Sequence, residues 1–183
     1  MQFHLPSASI LLLLLSTLAT AAPPPLHIRL KRALTFRQYN DMSISAGPAG
    51  NAEAEALAVW TAGIDLSDLA AVAAADLAIL NVERDNAENA ETEAFNPAIQ
   101  AASGAAAEAL QCGKIKNKVL KLTGLAQIRR INLAQAQAAS KDTASIQAAL
   151  ADTKKKLATN IAIDKGSAGQ ECQAVDFVGQ TGV

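Results

Sequence analysis

Aromatic residues are scarce in this sequence: one Trp, one Tyr and four Phe make up 3% of 183 residues. Histidine is scarcer still, with only His4 and His27. Beyond residue 27 the commonest general base and metal ligand is therefore missing. Ser-His-Asp and Cys-His catalytic arrangements are excluded there. Only two cysteines occur, Cys112 and Cys172, and with no histidine nearby they supply too few soft ligands for zinc. There is no Gly-rich phosphate loop and no Asn-x-Ser/Thr sequon. A two-carboxylate glycosidase would need a groove walled by rings. Glu91 and Glu93, two positions apart on an expected helix, do not face each other. They read as solvated. No enzyme activity, no cofactor and no metal is expected.

The first thirty residues read as an address. Ile10 and Leu11–Leu15 form a short apolar core, and Ala19-Thr20-Ala21 offers the small-x-small pattern of a signal peptidase site. A membrane span needs about 20 apolar residues; this run is shorter, and none further along approaches that length. Pro23-Pro24-Pro25 blocks continuation as a helix. Lys31-Arg32 then resembles the dibasic processing site of the fungal secretory pathway, the alternative being an ordinary solvated pair. The expected organisation is a signal peptide (1–21), a pro-segment ending at the dibasic site (22–32) and one helical domain (33–183). Processing would remove Arg29, Lys31, Arg32 and both histidines, leaving 13 bases against 17 acids and a net charge near −4.

What the chain has in abundance is alanine, far above its usual share. Alanine is the best helix former because ordering it costs no side-chain entropy. It also brings little apolar area, so helices must approach closely through small side chains. In an oxidising route Cys112 and Cys172 most simply form one disulfide; two free thiols or a bridge between chains are the alternatives.

Residues 33–46 read as extended, since Phe36, Tyr39, Met42 and Ile44 lack helical spacing. Gly47-Pro48 and Gly50 mark a turn. Asn51 can cap a first helix whose apolar face is Leu57, Trp60 and Ile64, with Gly63 as its terminator. A second helix starts near Asp65 or Ser67 and runs to about Thr92, with Leu66, Leu69, Ala73, Leu77 and Leu80 at spacings of three and four. Its later half, from Asn81 to Glu88, is polar and reads as solvated. Asn96-Pro97 opens a third helix, on which Phe95, Ile99, Ala102, Ala106 and Leu110 share a face. Spacing leaves open whether it breaks near Gly113 or continues through Gly113 and Gly124. A last helix follows Ser140–Thr143, with Ile146, Leu150, Thr153, Leu157 and Ile161 inside and Gly166 and Gly169 at its end. The expected fold is all-α: an Ala-rich antiparallel bundle of about four helices, with an extended N-terminal arm and a C-terminal tail tethered by one disulfide.

Charge is segregated. Residues 41–93 hold eleven acids and one base, and residues 114–165 hold eleven bases and three acids. Either two faces of opposite sign are exposed, or early and late helices pack together and the charges attract across the bundle. Lys114, Lys118 and Lys121 share one helical face and form a candidate patch for an anionic partner; a solvated lysine face is the plainer reading. The patch lacks the aromatics that single-stranded nucleic-acid binders use, so no nucleic acid is expected.

The segments 46–56 (Ala46-Gly47-Pro48-Ala49-Gly50-Asn51 onward), 87–99 and Cys112-Gly113-Lys114-Ile115-Lys116-Asn117-Lys118-Val119-Leu120 resemble those of small secreted proteins of filamentous fungi. That resemblance implies no activity and no site residues. A looser similarity, of architecture alone, is to fungal hydrophobic-surface-binding and cell-wall mannoproteins, which bind apolar surfaces or lipids. The expectation is a secreted, non-catalytic binding protein at the cell wall, cell surface or host interface, effector-like, with a protein, polysaccharide or lipid surface as partner. The alternative is a carrier holding a fatty acid or other apolar ligand between helices.

Overall fold

The helices form where the alanine-rich runs lie, but contacts from distant parts of the chain set where several of them begin and end. The computed structural model describes residues 34–183. The expected signal peptide, the pro-segment with Lys31 and Arg32, and both histidines lie outside the described residues. In order come α1 (Tyr39–Met42), β1 (Gly47–Pro48), α2 (Ala52–Thr61), α3 (Ala74–Asn89), α4 (Asn96–Ala101), α5 (Gly104–Ala138), α6 (Ala144–Gly166) and β2 (Glu171–Cys172). Among the described residues α2, α3, α5 and α6 are the long helices. They alternate in direction, and α5 packs against each of the other three. The expected all-α bundle is present, built around one central rod of 35 residues.

On the α2 side of that rod, packing is by removal of side chain. Ala52, Ala56 and Trp60 are buried, while Leu57, expected inside, is 45% exposed. Trp60 lies on Gly124, where an added methyl would run into the indole ring. Its Nε1 donates to the Leu120 carbonyl at 2.7 Å. Gly113 likewise lets the Gln173 carbonyl reach the helix. Both glycines sit within one unbroken α5, their helical cost offset by the close contacts they permit. The start of α2 is not capped by Asn51. Asp164, at the end of α6, accepts the Ala52 N–H at 3.0 Å instead.

On the α3 side, packing is by pairing of charge and amide. Glu83 is buried, and Arg37 of the N-terminal arm grips it through Nε at 3.0 Å, Nη2 at 2.6 Å and its own backbone N–H at 2.8 Å. Asn117 accepts from the Tyr39 hydroxyl at 3.0 Å and donates to the Ala87 carbonyl at 2.8 Å. The polar stretch Asn81–Glu88 is thus not simply solvated. Glu83, Asn86 and Ala87 face inward because each polar group among them has a partner.

Other boundaries also differ from expectation, for local reasons. The arm is not extended throughout; Tyr39 and Met42, three apart, turn one helical face inward as α1. The second helix begins at Ala74, not near Asp65. Asp65 accepts from the Ser67 N–H at 3.0 Å. Asp68 accepts from the Ala71 N–H at 3.2 Å and holds a single 3-10 turn, Leu69–Ala71. Such side-chain bonds compete with helix. At the other end the chain does not stop before Asn96. A π-helical turn, Ala90–Phe95, carries it into α4, with the Asn96 N–H bonded to the Glu91 carbonyl five residues back. Opening the helix there relieves the clash Pro97 would make with the carbonyl four residues earlier. The break comes later, at extended Ala102 and Ser103 and left-handed Gly104 (φ 56°). The face expected from Phe95 to Leu110 is therefore divided between α4 and α5.

The α6 face runs Ile146, Leu150, Thr153, Leu157, Asn160, Asp164, a spacing of four and three that suits a two-helix seam against α5. Cys112 and Cys172 are bonded, with Cα atoms 5.0 Å apart. In the chain-entropy model, closing a loop of this length is worth about 4 kcal/mol. Beside it, β1 and β2 pair antiparallel, Gly47 with Cys172 and Pro48 with Glu171, a two-residue ladder that no alternation announced.

Candidate functional site

The basic run does not form a free patch. Lys114 donates to Asn96 Oδ1 at 2.7 Å. Lys118 meets Glu91 at 2.9 Å, and Lys121 meets Glu91 at 2.6 Å and Glu88 at 3.0 Å. The three lysines do share a face, but that face lies against α3 and the π turn. Glu91, expected in solvent, is buried in the same cluster; Glu93 is exposed, as expected. Burial alone would raise the Glu91 carboxyl pKa, yet the bonds and charges of Lys121 and Lys118 outweigh it and hold Glu91 below the usual carboxylate range. Glu88 is held low in the same way, burial being outweighed by Lys121 and Arg84. Early acids thus meet late bases across the bundle, as do Glu55 with Lys116 and Glu53 with Lys165.

Lys116 belongs to the same basic run but not to its shared lysine face, and it is the most buried of the described lysines, 1% exposed. Its ammonium donates to the Ala46 carbonyl at 2.9 Å and the Pro48 carbonyl at 3.3 Å, beside Glu55 at 3.0 Å. Two carbonyls and a carboxylate face its three donors, so the buried charge is tolerated. The signal was present: Gly113, Lys116, Leu120 and Gly124 recur at spacings of three and four, which puts Lys116 on the face of close approach.

An accessible apolar feature lies at the opposite end from the α5–α6 turn. The break at 102–104 angles α4 away from α5, and the end of α6 and the Ser167–Gln170 turn close the third side. Between them is an open groove of about 760 Å³, floored by Ile99, Ala107, Cys112, Ile115 and Ile163. Ile163 stands 45% exposed. Glu108 brings the charge to its lining, with Gln111, Ser167 and Gln170 completing the rim. The disulfide forms part of the wall and fixes the tail beside it, where Gln170 Nε2 donates to the Glu108 carbonyl at 3.3 Å. Such a surface can take apolar side chains or an acyl chain.

The family model described as a domain of unknown function (DUF8454) matches residues 34–176, nearly the whole described chain. The chain belongs to this family. No curated protein and no solved structure matches it. Every residue lining the groove falls within the matched part of the DUF8454 domain. Another cleft, about 220 Å³, lies between α3, α5 and α6. Its cations are already engaged: Lys121 with Glu88, Lys156 with Asp152 at 2.8 Å, and Arg129 with Thr153 and the Ala149 carbonyl. Among the described residues no group of three or more His, Cys, Asp or Glu is placed to hold a metal ion. No described helix is long and apolar enough to cross a membrane.

Proposed function

We propose that this DUF8454 protein is a secreted, non-catalytic binding protein that acts at a cell wall, cell surface or host interface, and that it engages its partner through the groove between α4, α5 and α6. The observation that carries this reading is the groove itself: an open apolar surface with an exposed isoleucine, on a molecule whose lysine face is paired internally. Apolar surface left to water is unfavourable, by about 25 cal/mol per Å², and covering it drives association. The export signal read in residues 1–21 supports an extracellular setting for such a surface.

The test is co-sedimentation of the purified protein with isolated cell walls. Ile163→Glu should lower the retained fraction at least about tenfold, the effect of losing roughly 1.4 kcal/mol, with an unchanged helical melt. Equal retention of the two chains would remove the groove from the account. The groove is also of a size typical of small-ligand sites, which supports the carrier reading in second place. Native mass spectrometry separates the two: a retained acyl-chain mass favours the carrier, a bare chain the interaction protein.

A further inference from the structure

The C-terminal tail lies in a second site, of different chemistry. Residues 177–180 run along α1 and α3 with alternating sides inward: Phe177 and Gly179 are partly covered while Val178 is 79% exposed. Phe177 meets the Tyr39 ring edge-on, centroids 5.7 Å apart, and its N–H donates to Asn40 Oδ1 at 3.1 Å. Asn86, wholly buried, clasps the backbone three residues further on. Its Oδ1 accepts the Gln180 N–H at 2.9 Å, and its Nδ2 donates to the Gln180 carbonyl at 3.0 Å.

An amide that bonds both backbone groups of one residue reads an extended peptide without reading that residue's side chain. Both bonds of the Asn86 amide go to the tail, which supplies the partners that a buried donor and acceptor need. Selectivity comes from the neighbours. A Cβ at Gly179 would overlap the Asn86 amide, with Cγ at 2.6 Å, so this position admits glycine alone. Phe177 supplies the ring that Tyr39 faces. Tyr39, Asn40 and Asn86 lie inside the family-matched residues, and Phe177–Gln180 lie just beyond them.

We infer that Tyr39, Asn40 and Asn86 form a peptide-binding site for extended segments of the pattern aromatic-x-Gly-x, filled in cis by the chain's own tail. Cys172 anchors that tail a few residues before Phe177. A short tether of this kind gives an effective concentration on the order of millimolar. The resting site is therefore closed to dilute peptides and opens to one that outcompetes the tail or finds it displaced.

The experiment uses the full chain carrying Gly179→Leu, whose tail no longer fits, and a fluorescent peptide of residues 174–183 followed by anisotropy. The peptide should bind this chain saturably, and at least about tenfold more tightly than it binds the unsubstituted chain, whose own tail competes. The same peptide with alanine in place of its Gly179 should bind at least about tenfold more weakly. If Gly179→Leu disturbs the helical melt, Phe177→Ser displaces the tail by its other anchor and replaces it. No saturable binding to a folded displaced-tail chain, or equal binding of the glycine and alanine peptides, would overturn the site.

Discussion

The two sides of α5 solve the same packing problem by opposite means. Toward α2, side chains are deleted until a tryptophan can rest on a glycine and two alanines can face the rod. Toward α3, long polar side chains are retained and matched: Asn117 with Tyr39 and Ala87, Glu91 with Lys118 and Lys121, and, where α3 meets the N-terminal arm, Glu83 with Arg37. The first seam depends mainly on shape, with one buried ion pair, Lys116 with Glu55, at its start. The second depends on charge state, and removing one partner strands the other. An Ala-rich chain with few rings has too little apolar area to close every face, and paired polar groups complete the remainder.

The largest effect should come from stranding a buried partner. Arg37→Ala leaves the buried Glu83 carboxylate without its guanidinium and should cost about 3 kcal/mol, read from denaturant unfolding at neutral pH. A loss within a few tenths of a kcal/mol of zero would mean that the arm contributes little to the fold. Gly124→Val attacks the other seam by overfilling it and should cost about 2 kcal/mol. That cost should be the same at pH 7 and pH 4; a strong pH dependence would show that the two seams are not independent.

Glu91→Gln should have the smallest effect, about 1 kcal/mol at pH 7, and the most informative pH profile. The folded pKa of Glu91 lies below its unfolded value near 4.5. Its contribution is therefore fully present above that value and is lost as pH falls through the folded one. The gap between the melts of Glu91→Gln and the unsubstituted chain should close on acidification. A gap that widens in acid would contradict the pairing.

The apolar seam was legible in the sequence and the polar seam was not. Alanine runs, the Trp60 position, the α6 stripe and the Cys112–Cys172 pair announced helices, a small-residue core and a tether. Each follows from local spacing. Glu83 and Asn86 looked like surface because burial of a polar residue depends on a partner tens of positions away, which no local pattern records. Asn51 and Asn96 looked like caps for the converse reason. Their sequence context suits a cap, but Asp164 caps α2 and a π turn continues past Glu91. The groove follows from the α4–α5 break, whose position depends on Gly104 adopting a left-handed conformation, one of several glycines that could have done so.

Because the lysines Lys114, Lys116, Lys118 and Lys121 of α5 are matched within the molecule, partner binding should rest on the apolar groove rather than on charge. A salt titration of cell-wall retention tests this directly. Raising salt from physiological strength to about 1 M shortens the screening length from about 8 Å to about 3 Å. Retention through Ile99, Ile115 and Ile163 should hold or rise over that range. A steep fall with salt would place the contact on the charged face of the bundle and contradict the account.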